Sequence, residues 1–134
     1  MKNHFEHVDH LWEDEKAQAL GDDQVALFLY RSNILGSDLR ITNYGGGNTS
    51  CKTLEKDPLT NETVEVMWIK GSGGDIGTLT RKGIAGIYTH RLRDLKKVYG
   101  GLSDEDRMVG LFNHCIYDLE SKAPSIDTPL HGLL

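Results

Sequence analysis

Tyr44-Gly45-Gly46-Gly47-Asn48-Thr49-Ser50 is answered downstream by Ile69-Lys70-Gly71-Ser72-Gly73-Gly74-Asp75, and the reading of the chain turns on this pair. Each cluster sets unhindered backbone N–H groups beside short hydroxyl or amide side chains, the means by which a backbone nest wraps an oxyanion. Glycine permits positive φ and close approach of a ligand, while Asn48, Thr49 and Ser72 add side-chain hydrogen bonds. The two loops therefore read as one split anion site. A pair of tight turns between strands is the alternative that glycine content leaves open.

Around the loops, the apolar residues sort by period. Val25, Phe28, Leu29, Ile34 and Leu35 mark a helix from Asp22 to Leu35, with Asp22 or Asp23 as cap and Gly36 as stop. Strands are expected at Leu39 to Thr42, Thr49 to Leu54 and Thr63 to Ile69, where Val64, Val66 and Trp68 alternate with Glu65 and Met67. The last two form a hairpin across the polar connection Glu55 to Glu62, which carries Pro58 and Asn61. Ile87, Leu92, Leu95 and Val98 fit a partly buried helix or a strand-helix unit. Ser103-Asp104-Glu105-Asp106 starts a further helix, with acids favourable in its first turn and Met108, Val109, Leu111, Phe112, Cys115 and Ile116 as its apolar face.

The ends read differently. Residues 1 to 21 form a polar arm in which His4, His7 and His10 share a helical spacing; a metal stripe is conceivable there, but the flanking acids favour a solvated segment. The stretch from Ala123 to Leu134 has two prolines and finishes on apolar residues, which reads as a cut rather than a natural terminus.

At 134 residues and 38% hydrophobic content, one domain with one ordinary core is expected. The formal charge of -5 offers no general basic field for nucleic acid or an anionic membrane, so a phosphate would have to be held locally. Cys51 and Cys115 lack CxxC spacing and read as reduced thiols. No apolar run approaches the ~20 residues of a membrane span, and a cytoplasmic protein is expected. The glycine clusters match neither a P-loop nor a GxGxxG that opens a helix after a strand, which leaves nucleotide binding a distant reading.

Gly47-Asn48-Thr49-Ser50, then Ile69-Lys70-Gly71-Ser72-Gly73, then Pro124-Ser125-Ile126-Asp127 with His131 beyond it, resembles in order the N-terminal part of the class II aldolase/adducin family. The longer stretches Trp68 to Asp75 and Asp127-Thr128-Pro129-Leu130-His131-Gly132 are most similar to its rhamnulose-1-phosphate aldolase branch, whose long members add a C-terminal dehydrogenase domain. The likeness covers residues 22 to 134.

The resemblance implies an α/β fold with a central, mainly antiparallel sheet covered by helices. It implies reversible cleavage of rhamnulose 1-phosphate or a similar ketose 1-phosphate to dihydroxyacetone phosphate and an aldehyde, this chain being the phosphate-binding half. Gly47, Asn48, Ser72, Gly73 and Ser125 would hold the phosphate. Asp127 would stand where the family has its catalytic glutamate, one methylene shorter. A divalent metal, usually zinc, is implied for the complete enzyme and none for this chain alone, because the family's His-x-His pair and third histidine have no counterpart among its six histidines. His131 matches a family histidine ahead of that pair and reads as a supporting residue; His90 and His114 read as core or surface residues. Self-association into a homo-oligomer is implied as well. A non-catalytic, adducin-like interaction module is the alternative from another class.

Overall fold

Strand β2 (Thr63–Lys70) holds the centre of the sheet, pairing antiparallel with β1 (Ser50–Lys56) on one side and β3 (Ile84–Tyr88) on the other. This computed structural model describes residues 9–101, 103 and 105–134, Glu105 by its backbone alone. The β1–β2 register sets Cys51 opposite Trp68, and the β2–β3 register sets Met67 opposite Ile87. The expected hairpin is present. Its connection turns on Asp57, whose Oδ1 accepts the N–H groups of Leu59 (2.8 Å) and Thr60 (2.9 Å), while Asn61 takes a φ of 57°.

The helices are α1 (Asp14–Ala19), α2 (Gln24–Ser37), α3 (Thr89–Asp94), α4 (Glu105–Leu111) and α5 (Thr128–Leu133). They cover both faces of the sheet. On one face α2 brings Val25 and Phe28 against Leu79 and Ile84, with Leu29, Cys51 and Trp68 around them. On the other, α3 and the segments that follow bring Leu92, Leu95, Phe112 and Cys115 onto Met67, Ile69, Ala85 and Ile87. Successive strand residues point to opposite faces. Val66 and Met67 are both fully buried, so the alternation expected along β2 gives way to a run buried on either side, as a strand between two helical layers requires.

Several sequence-based expectations are corrected. Leu39 to Thr42 is a turn: the Asp38 carboxylate takes the backbone N–H of Arg40 (3.0 Å) and its guanidinium (2.8 Å), and the Asp38 carbonyl accepts from Ile41 and Thr42. With its donors folded onto one residue the backbone has no strand partner, and Leu39 and Ile41 are exposed. Gly36 does not stop α2. It lies inside the last turn, where an added Cβ would come 2.1 Å from the backbone N of Gly77, so its bareness lets the helix rest on the short helical turn Ile76–Thr78. Asn33 fastens the same contact by donating to Ile76 O (3.0 Å) and Leu79 O (3.1 Å).

The strand-helix alternative for the middle segment holds, as β3 followed by α3. The helix expected through Ile116 ends at Leu111 and continues only as a 3-10 turn, Phe112–Cys115. Ile116 leaves it to bridge Ile87, and Tyr117 N donates to Gly86 O at 2.8 Å, because the open edge of β3 takes the chain's donors. Asp104, read as part of the start of that helix, lies outside the described residues. So do His4 and His7. The polar arm contains α1, which buries none of its residues but is tied to α2 through Trp12, whose ring lies 5.1 Å from that of Tyr30. Among the described residues no helix is long and apolar enough to cross a membrane.

Candidate functional site

The three sequence motifs meet at the end of the sheet where β1 begins and β2 ends. Lys70 N donates to Thr49 O (3.1 Å) and Ile76 N to Gly46 O (3.4 Å), which lays the two glycine loops side by side. Gly47 takes a φ of 86° with Ile76 packed where its Cβ would stand, a position closed to other residues on both counts. The third motif joins through an isolated bridge between Gly71 and Pro124 and through Ser72 N, which donates to Ala123 O at 3.0 Å. Residues far apart in sequence are thus held by backbone bonds.

Within this cluster Asn48 Nδ2 donates to Asp127 Oδ2 at 3.4 Å. Asp127 N donates in turn to Ser125 Oγ (3.3 Å), and Thr128 N to Ser125 O (3.0 Å), so the nearly buried Ser125 shapes the turn that carries Asp127 into α5. The anion-nest expectation needs adjustment at Ser72: its backbone N–H serves Ala123, leaving its exposed hydroxyl for a ligand. Gly73 is exposed with a φ of 74°. Asn48 Oδ1 and Asp75 Oδ1 are buried acceptors that take no hydrogen bond from the described residues.

Lys70 closes β2 directly before the second glycine loop and is not among the binding residues expected from the sequence. The residue is 5% exposed, and among the described residues its ammonium reaches only Gly71 O, at 3.4 Å. Burial pulls its pKa below the usual 10.5, the Lys122 charge adds to this, and the charges of Asp75 and Asp127 oppose it. The available signal was a cation at the last position of an apolar strand, directly before a glycine loop.

His131, on α5, shares a 2.7 Å hydrogen bond between its Nδ1 and Ser50 Oγ. Burial lowers its pKa from 6.5 and Lys52 adds to this, against the pull of Asp127. His90 and His114 are exposed. Among the described residues no three His, Cys, Asp or Glu side chains gather so as to hold a metal ion, so the donor set for a catalytic zinc is not met here. Cys51 and Cys115 are free thiols.

The fold is that of a class II aldolase domain, an α/β arrangement of helices on a three-stranded antiparallel sheet. The N-terminal class II aldolase domain of a conserved protein from Thermoplasma acidophilum matches 84% of this chain with a TM-score of 0.74 and 30% identity. In sequence the chain is similar to the uncharacterized oxidoreductase YuxG of Bacillus subtilis (strain 168), 42% identical over 127 residues, or 95% of this chain. The chain spans 18% of that relative's length and 51% of the structural neighbour's. No family model matches it.

Proposed function

We propose that this chain is the phosphate-holding half of a class II, aldolase-like lyase acting on a phosphorylated ketose, with rhamnulose 1-phosphate as the leading candidate and dihydroxyacetone phosphate as the shared product. The observation that carries the reading is the contact between Asn48 and Asp127, which joins the first glycine loop to the acidic residue of the third motif. The likeness to a class II aldolase domain supports the reaction class. In this proposal Gly47, Asn48, Ser72, Gly73 and Ser125 hold the phosphate, and Asn48 Oδ1 and Asp75 Oδ1 accept hydrogen bonds from hydroxyl groups of the sugar. Asp127 moves the proton as the carbon–carbon bond breaks.

A divalent metal, zinc above all, would supply the Lewis acid of the complete enzyme. The described residues do not provide its ligands, so no step is drawn through it. The word oxidoreductase in the name of YuxG describes a protein of which this chain matches 18%, and redox chemistry in the remainder of such a protein is compatible with a lyase domain here. Cytoplasmic placement and self-association belong to the same proposal.

The test is a calorimetric titration of the 134-residue chain with dihydroxyacetone phosphate and with dihydroxyacetone. Binding that requires the phosphate is expected. Equal or absent binding of the two would overturn the reading in favour of a non-catalytic module.

A further inference from the structure

We propose that the cationic outer face of α3, with the apolar groove beside it, receives the acidic arm around α1 of a second copy of this chain. The contact gives two surfaces to the self-association put forward above, on which it rests, and is independent of the lyase chemistry. From His90 to Lys97 the inward positions are Leu92 and Leu95, and the exposed ones carry Arg91, Arg93, Lys96 and Lys97 with Asp94 as the one acid. These cations stand together in a chain whose formal charge is -5. Arg93 reaches Glu65 only at 3.6 Å, Lys97 bonds Asp94 at 2.7 Å, and Lys96 forms no ion pair among the described residues. Next to this face a groove of about 270 Å³ is lined by Leu95, Val98, Leu111 and Cys115, with Arg91 and His114 on its wall.

The complement of that surface lies in the same sequence. Residues 1 to 23 hold seven Asp and Glu against two Lys, an excess equal to the net charge of the whole chain. In the described part of this arm α1 buries none of its residues, and Leu11 and Leu20 beside its two ends are exposed. Glu15 and Asp22 form no ion pair among the described residues. The arm cannot reach the groove of its own copy. Trp12 against Tyr30, and Glu13 N donating to Tyr30 Oη at 3.2 Å, fix it to α2, on the face of the sheet opposite α3. Each copy therefore offers one arm and one groove, and the contact runs head to tail from copy to copy. Exposed ion pairs contribute little one at a time, so leucines of the arm seated in the groove carry the adhesion, while the charges set its direction and its salt dependence. A contact built on one short helix is small, which makes it weak and reversible.

The test is sedimentation equilibrium of the 134-residue chain at about 100 μM, a concentration suited to a weak contact, in about 0.05 M and about 0.5 M sodium chloride. Two charge-reversed variants accompany it, Lys96→Glu with Lys97→Glu on the groove side and Glu15→Lys with Asp22→Lys on the arm. Wild type is expected to associate in low salt and to dissociate in high salt. Each variant alone, with like charges now facing one another, should associate about tenfold or more weakly than wild type. An equimolar mixture of the two should regain association, because the acidic arm of one variant meets the basic groove of the other and the reversed pair meets likewise. Loss of folding in a variant would not be repaired by mixing. Association that is untouched by either reversal, that persists in high salt, or that mixing does not restore would overturn the assignment of these surfaces and leave self-association standing. A wild-type chain that is monomeric in low salt would remove both, with the lyase reading still decided by its own titration.

Discussion

Asn48 reaches Asp127 across 79 positions of sequence, its Nδ2 donating to Oδ2 at 3.4 Å. At that length the bond is weak by itself. Its importance is positional, since it ties the first glycine loop to the turn that Ser125 builds, and it aims the second amide atom, Oδ1, into a buried space with no acceptor-satisfying donor. An amide used in this way is set up to bind as well as to brace.

Asn48→Ala removes both functions. Affinity for dihydroxyacetone phosphate should fall about tenfold, the loss expected for one or two hydrogen bonds to an anionic ligand. Calorimetry on a variant with an unchanged circular dichroism spectrum measures it, and undiminished affinity would exclude Asn48 from the site.

Gly36→Ala should destabilise the protein by about 3 kcal/mol, at the upper end of overpacking effects, because the obstructing atoms are the backbone of Gly77 rather than a side chain that can turn aside. Urea unfolding gives the difference directly. Gly132→Ala, which meets the flexible end of Leu92, should cost less.

The Asp57 carboxyl is drawn down to about 2, first by the hydroxyl of Tyr88 (2.6 Å) and then by the N–H groups of Thr60 and Leu59. A carboxyl with a depressed folded pKa adds stability above its unfolded value of 3.8 and loses it as pH falls towards about 2. Tyr88→Phe should therefore narrow the difference in unfolding midpoint between pH 5 and pH 2.5. An unchanged difference would place the hairpin's acid sensitivity elsewhere.

His131 should titrate below 6.5 in an NMR pH series, since burial disfavours its charged form. Because its folded pKa is the lower one, the unfolded chain takes up the proton first as pH falls through 6.5, and this residue then costs the folded state stability. His131→Gln should remove that part of the loss, while a midpoint at or above 6.5 would contradict the burial argument.

Much of the architecture was legible because it rests on local chemistry. The Asp23 cap of α2, which accepts from Ala26 N at 3.0 Å, the Asp57 turn and the β1–β2 pairing each involve residues near one another in sequence. The errors have a common origin. Leu39 to Thr42 has strand-like composition, but an aspartate two residues before an arginine closed a turn that no pattern of apolar residues reveals. Phe112 to Ile116 has helical spacing, yet the free edge of β3 drew that chain out of the helix.

The same division runs through the candidate site. Gly47, Asn48, Ser72 and Gly73 were readable as candidates because glycine freedom and short polar side chains are properties of the residues themselves, whereas Ser125 and Asp127 entered only through the family resemblance. Sequence alone could not reveal that Ser72 commits its N–H to Ala123, that His131 bonds Ser50, or that Lys70 is buried almost without partners. Hydrogen-bond commitment and desolvation depend on which distant segments come to lie against a group, and those contacts exist only once β2 is enclosed between its two helical layers.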